Sequence, residues 1–429
     1  MQRSYLDKKI LILGGKPIGS VEAVKYAQQK RIYTIVTDNL PVEESPAKQI
    51  SDENWDISTA DVDLLCAKII ENNIDAVFTG IHEFNIWKTS EICDRLNLPF
   101  YATPEQLIKT SIKSEYKQLF REYNIPVIQE FDLNENTFEE DISKVDYPVL
   151  IKPIDGSGGY GISICYDKEE LVEAYQKALT YSKVKKVLVE KYIIAKEVTV
   201  FYIIKDGKIM LSTLADRHTK NGNKYTIALP VLYIFPSIHL TRYLETLNEK
   251  VIIALKSLGL KNGMVFIQSF VDTEGFKFYD IGFRLTGTQE YYITEHICNY
   301  NALKMMLDYA LTEKMGQQDL EKLVDPFLYG KSACNITFLA KPSVIGKFIG
   351  IEEIERRPEV IKVIRNHQPG DTIPDSAIGT LNQVILRVFI VAETKSQLKE
   401  IIKEITASID VLSDKEETIL LPTFNIDEL

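Results

Sequence analysis

A lysine closing an apolar strand, a glycine-rich loop just after it, and a second apolar strand ending in Glu-Lys can together hold a polyphosphate. These parts stand in that order between Tyr147 and Val200 of this 429-residue chain. The first strand, Tyr147-Pro148-Val149-Leu150-Ile151, fixes Lys152, whose ammonium neutralises phosphate oxygens as a point charge. The loop at 155–161 carries Gly156, Ser157, Gly158, Gly159 and Gly161, with four glycines in seven residues. Lacking side chains, it can lie against phosphates and offer backbone N–H groups. No G-K-[ST] follows the glycines, so a Walker P-loop is excluded. An unpaired ammonium in the apolar setting of Lys152 is costly, and a phosphate removes that cost, with pairing to a nearby carboxylate as the lesser alternative.

The elements that position these groups follow from periodicity. Residues 9–110 alternate strands (9–13, 32–37, 75–79, 99–101) with helices (20–29, 60–72, 84–96), which predicts a parallel sheet covered by helices. Gly14 and Gly19, followed by Asp38, invite a dinucleotide reading. The spacing is not G-x-G-x-x-G and Pro17 interrupts the turn, so a structural turn is the better expectation. Glu83 follows the 76–79 strand and is a candidate substrate contact, or simply a first-turn helix carboxylate. An amphipathic helix at 111–123 carries Lys113. Strands are expected at 187–190 and 197–204, a long helix at 241–258, and a hairpin of 264–271 with 276–281. Along that hairpin Asp280, Gly282 and Arg284 share one face. The segment 215–224 reads as a loop, with Arg217 and Lys224 as weak substrate candidates. Beyond a linker at 325–331 lies a small α+β module, with strands near 333–339, 346–350 and 384–392 and a helix at 396–409.

The composition narrows the function classes. Hydrophobic content of 45% and charged content of 26% are ordinary for a globular protein. A net charge of −11 argues against nonspecific nucleic-acid binding. Five scattered cysteines without C-x-x-C, and five scattered histidines, argue against a zinc or iron–sulfur site and fit a reducing compartment. No apolar run approaches a membrane span of about 20 residues. Cytoplasmic residence, with no membrane partner, is the expectation.

The lysine, the loop and the Glu190-Lys191-Tyr192-Ile193 segment together resemble the ATP-grasp superfamily, strongest between Lys113 and Glu197. This resemblance implies a mixed α/β and α+β chain. A Rossmann-like pre-ATP-grasp domain would span 1–110, an ATP-grasp domain 111–330 with its lid at about 126–204, and a C-terminal α+β subdomain 331–429. It implies phosphate contacts from Lys113 and Lys152 and an adenine hinge at Glu190, Lys191, Tyr192 and Ile193. Glu197 takes the ribose-binding position. For Mg²⁺ the resemblance implies two carboxylates and an Asn in the pattern E…E-x-N-x-R, and here those positions hold Gln268, Asp280, Gly282 and Arg284. One carboxylate is an amide and the Asn is missing, which puts two metal ions in doubt and leaves Glu290 or Asp272 as compensating candidates. Arg284 suits a transferring phosphoryl group or a substrate carboxylate. The implied activity is an ATP-dependent carboxylate–amine ligase working through an acyl phosphate on small-molecule substrates, a homodimer being compatible with it. The altered metal positions keep a second reading open, a nucleotide-binding homologue with altered or lost catalysis acting as a sensor or assembly subunit.

Overall fold

The computed structural model describes residues 7–134, 136–154, 161–220, 222, 228–424 and 426. Four parallel strands, β1 (Lys9–Leu13), β2 (Tyr33–Thr37), β3 (Glu53–Trp55) and β4 (Ala76–Phe78), form a sheet in the order β3-β2-β1-β4. Their nearly continuous burial is what a parallel sheet covered on both faces requires. The helix Ile18–Gln29 packs on one face, against the helix Ala302–Thr312. On the other face Leu65, Ile69 and Ile92 of the helices Val62–Glu71 and Glu83–Leu96 close a second core.

A four-stranded antiparallel sheet follows. It consists of β5 (Glu130–Phe131), β6 (Val149–Pro153), β7 (Ser163–Cys165) and β8 (Val187–Lys191), in the order β5-β8-β6-β7. The helix Lys168–Tyr181 covers it through Leu171, Ala174, Tyr175 and Ala178.

The third sheet has eight strands. Five are β9 (Lys196–Lys205), β10 (Lys208–Lys220), β11 (Leu229–Phe235), β12 (Gly263–Val271) and β13 (Phe276–Gly282). The strand β14 (Ser332–Leu339) continues the sheet. A small sheet in the order β17-β15-β19 is formed by β15 (Ser343–Ile349), β17 (Thr372–Ile373) and β19 (Asp410–Ser413), while β16 (Val360–Arg365) and β18 (Val384–Ala392) return to the large one. Its order is β13-β12-β9-β10-β11-β14-β18-β16. The strands on either side of residue 331 therefore hydrogen-bond within one sheet. One face, with Phe201, Phe266 and Phe389, packs toward the first sheet's helices; the other, with Val200 and Tyr202, packs on the helices Lys113–Glu122 and Asn248–Ser257.

Three expectations change. Residues 99–101 form no strand; Tyr101 instead donates its hydroxyl to the Phe283 carbonyl. The helix expected at 241–258 is two helices, Leu240–Thr246 and Asn248–Ser257, because Leu247 leaves helical geometry (φ −133°, ψ −30°). Residues 215–220 are not loop but the end of β10, where pairing to β9 and β11 outweighs the polar composition. No helix of the described residues is long and apolar enough to cross a membrane.

Candidate functional site

The register of the large sheet assembles a polar face strand by strand. Asp280 on β13 faces Gln268 on β12, and Gln268 faces Thr199 on β9. Glu197, two residues along β9, faces Arg217 on β10, which faces Tyr233 on β11. Tyr233 faces Asn335 on β14, and Thr337 faces Arg387 on β18. Directly opposed residues share a face, so these groups, from strands remote in sequence, line one surface.

The side chains of Asp280 and Gln268 are part-exposed and make no hydrogen bond or ion pair with any described residue. Their oxygens are open to a cation. Among the described residues no three His, Cys, Asp or Glu groups converge on a metal site. One carboxylate and one amide oxygen fit Mg²⁺, which keeps waters and binds largely through phosphates. The missing Asn has a structural counterpart. A Cβ on Gly282 would lie 2.7 Å from the Phe266 Cζ and closer still to its Cε1, so the ring occupies that space. The Arg284 guanidinium stacks on the same ring, 4.8 Å from its centroid. Arg284 also lies 3.8 Å from Glu83, at the start of the helix Glu83–Leu96, so two groups 201 residues apart in the chain are brought together (284 − 83 = 201). The compensating candidates do not join them. Asp272 caps its own hairpin turn at Glu274 and Gly275, and Glu290 is buried beside Thr286. Burial pushes the Glu290 carboxyl up to about 7.

The lysines form a second cluster. Lys152 on β6 pairs with Glu190 on β8, its diagonal neighbour on one face of the four-stranded antiparallel sheet. Glu190 also pairs with Lys117, which is fully buried and lies 2.8 Å from Glu130. Glu130 and Glu190 are direct cross-strand partners, and Lys117 between them offsets their repulsion. Lys152 therefore has a carboxylate partner in this structure, the alternative the sequence reading weighed below phosphate. Burial pushes its ammonium below the ordinary lysine value against the pull of Glu190, and Lys113 adds repulsion. Burial works to raise the Glu190 carboxyl, but Lys152 and Lys117 prevail and hold it low. Lys113, at the first turn of the helix Lys113–Glu122, is near enough to repel Lys152 and has no carboxylate partner among the described residues. The sequence reading missed Lys117. Its signal was there: Lys113, Tyr116, Lys117 and Phe120 share one helical stripe, and a lysine on the apolar side needs a buried counter-charge.

In the hinge segment the Lys191 N–H is given to the Gln129 carbonyl and the Tyr192 N–H to that of Pro148, while the Ile193 N–H donates to no described residue. Glu197 is engaged by Arg217 and accepts from the Tyr279 hydroxyl at 2.6 Å. Arg217 also donates to the Tyr233 hydroxyl at 3.2 Å. Gly161 needs its glycine: φ is +73° and a Cβ would lie 2.8 Å from Pro153. Gly156, Ser157, Gly158, Gly159 and Lys224 lie outside the described residues. Asp38 is unavailable to a ribose. It accepts from the Gly15 N–H (2.7 Å) and the Ser45 hydroxyl (2.8 Å) and pairs with buried Lys48 at 3.1 Å.

A parallel α/β layer, a lysine-bearing four-stranded sheet and a large sheet ending in a Gln–Asp hairpin make up the ATP-grasp fold. Residues 113–318 match the family model of the carbamoyl-phosphate synthase L chain, ATP binding domain. A formate-dependent phosphoribosylglycinamide formyltransferase from Prochlorococcus marinus subsp. pastoris is 30% identical over 194 residues, 44% of this chain and 48% of that protein. The chain thus spans about half the length of that relative. An L-amino acid ligase from Bacillus licheniformis superposes with a TM-score of 0.76 at 18% identity, covering 95% of this chain and 99% of that one. The biotin carboxylase domain of a Hydrogenobacter thermophilus 2-oxoglutarate carboxylase, solved with MgADP, also gives 0.76 at 18% identity, covering 96% of this chain and 91% of the other.

Proposed function

We propose that the protein is an ATP-dependent carboxylate–amine ligase. The observation that carries this is the sheet register that sets Asp280 opposite Gln268, both open, with Arg284 stacked beyond them on Phe266. Lys113 and Lys152 hold the phosphates, the 155–161 loop covers them, and the 190–193 segment with Glu197 receives the nucleoside. Asp280 and Gln268 would hold Mg²⁺, which would offset charge on the phosphates. A substrate carboxylate oxygen attacks the terminal phosphorus of ATP, ADP leaves, and an acyl phosphate results. The amine nitrogen then attacks the acyl carbon, phosphate departs, and the amine proton passes to solvent. No protein nucleophile is needed, so the chain's task is positioning and charge neutralisation. Arg284, fixed on Phe266 and near Glu83, stabilises the phosphoryl group in transfer.

One observation favours a second reading, a nucleotide-binding homologue without turnover. Phe266 fills the space of the third metal ligand and Glu190 already neutralises Lys152. A screen of ADP release over carboxylate and amine pairs, with ATP and Mg²⁺, separates the two. Release that requires both substrates supports the ligase. Nucleotide binding without release under any pair supports the second reading.

A further inference from the structure

Among the groups near Arg284, His82 has no task in the chemistry above. The turn that carries it, residues 79–82, leaves β4 and enters the helix Glu83–Leu96. Two side chains latch that turn to the end of β1. The Thr79 hydroxyl (3.1 Å) and the Asn85 amide (3.2 Å) both donate to the Leu13 carbonyl. On its other side the turn meets the segment after β13, where a Cβ on Gly287 would lie 3.7 Å from the Ile81 Cδ1. The turn is thus held between the parallel sheet and the 284–287 segment. It sets Glu83 3.8 Å from the Arg284 guanidinium, with His82 one residue earlier.

The His82 ring is uncommitted. It stands at the N-cap position of its helix, yet its side chain makes no capping hydrogen bond. Neither ring nitrogen bonds to any described residue, and the residue is exposed, so both are open to a ligand. Arg284 and Glu83 are close enough for their charges to act on the ring. Desolvation by its surroundings favours the neutral ring most, Arg284 adds to that and Glu83 opposes it, which leaves the imidazole below its ordinary 6.5. The positive end of the helix works in the same direction. A neutral imidazole with a free lone pair is a proton acceptor at neutral pH. Glu83, the neighbouring carboxylate, is engaged with Arg284.

We propose that His82 is the general base of amide formation, taking the proton that the attacking amine loses. This rests on the ligase reading, in which Arg284 stabilises the phosphoryl group and so lies beside the acyl carbon. The unprotonated amine forms the C–N bond with its lone pair. One N–H proton passes to the imidazole lone pair, the C–O bond to phosphate breaks, and phosphate leaves with that bonding pair. The imidazolium then gives its proton to solvent, a release that the nearby Arg284 charge favours. Glu83 is a positioning residue here: it holds Arg284 against the turn that carries the base.

The test compares two kinds of acceptor on the full chain with ATP and Mg²⁺. The carboxylates are formate, acetate and the twenty L-amino acids. The acceptors are hydroxylamine, and, separately, ammonia and the same amino acids. Hydroxylamine attacks acyl phosphates without base assistance, so hydroxamate reports the acyl phosphate and the integrity of the fold. His82→Gln is expected to lower kcat for amide formation about a hundredfold or more, with little change in the KM of the amine, while hydroxamate formation falls by less than about threefold. The acid limb of the wild-type kcat profile should have its midpoint below 6.5 and be missing in His82→Gln. Imidazole added to His82→Ala should restore amide formation in proportion to its concentration. Amide formation by His82→Gln within about threefold of wild type, or an equal loss of amide and hydroxamate with no imidazole rescue of His82→Ala, overturns the assignment and leaves the ligase reading standing. Neither amide nor hydroxamate from wild type with any of these carboxylates sinks the ligase reading, and this assignment with it.

Discussion

Replacing Glu190 with Gln removes one negative charge from a buried arrangement of two ammoniums and two carboxylates. The Glu190 side chain is 4% exposed, that of Lys117 0% and that of Lys152 16%, so water cannot make up the loss. Lys117 keeps Glu130. Lys152 keeps only a neutral amide, with the Lys113 charge nearby. Breaking a buried pair from one side costs about 3–5 kcal/mol. We expect a loss of that size, read as the urea midpoint of wild type and Glu190→Gln without nucleotide. Phosphate then becomes the better partner of Lys152, so MgADP should stabilise the variant more than wild type. The pH dependence has a definite sign. The Glu190 carboxyl is held below its ordinary 4.5, so its contribution is fully present above that value and is lost as pH falls through the lower folded value. Wild type should therefore lose stability in acid more steeply than the variant. A loss under about 1 kcal/mol, or equal MgADP stabilisation of both proteins, would refute the assignment of Glu190 as the counter-charge that nucleotide replaces.

Lys113→Met should leave the urea midpoint nearly unchanged, because Lys113 has no ion-pair partner among the described residues, yet weaken ATP binding by about 1.5–3 kcal/mol in calorimetry. Gly282→Asn, which restores the family residue, should destabilise by about 1–3 kcal/mol because its Cβ meets Phe266, and adding Phe266→Ala should recover part of the loss of fit at that position. Arg217→Met should cost about 3 kcal/mol or more by stranding Glu197, whereas Tyr279→Phe, which removes one hydrogen bond to the same carboxylate, should cost about 1–2 kcal/mol; equal costs would remove Arg217 as the principal partner.

Part of the candidate site is legible in local spacing because the chemistry it suggests is local. Lys152 follows the apolar run Val149-Leu150-Ile151, four residues before Gly156, and Asp280, Gly282 and Arg284 alternate along one strand direction. What could not be read is what depends on register between remote strands. Glu190 meets Lys117 across 73 residues and Lys152 only once β6 and β8 are paired. Arg217 looked like a loop charge because 216–220 is polar, yet pairing on both sides draws it into β10 beside Glu197. Gly282 looked like a lost ligand, but the Phe266 ring sits across the strand pair and its position is invisible in sequence. Arg387 and Asn335 carry no local pattern at all; only the sheet register sets them on the shared face.

The central claim is that the Gln268–Asp280 hairpin holds the metal for ATP chemistry, and the Mg²⁺ dependence of ADP release by wild type, Asp280→Asn and Gln268→Glu tests it most directly. With a substrate pair that supports wild-type turnover, Asp280→Asn should abolish release while nucleotide binding persists in part through the lysines and hinge. Gln268→Glu should be active and reach half-maximal rate at lower Mg²⁺. Wild-type rates in Asp280→Asn with an unchanged Mg²⁺ requirement would contradict the account.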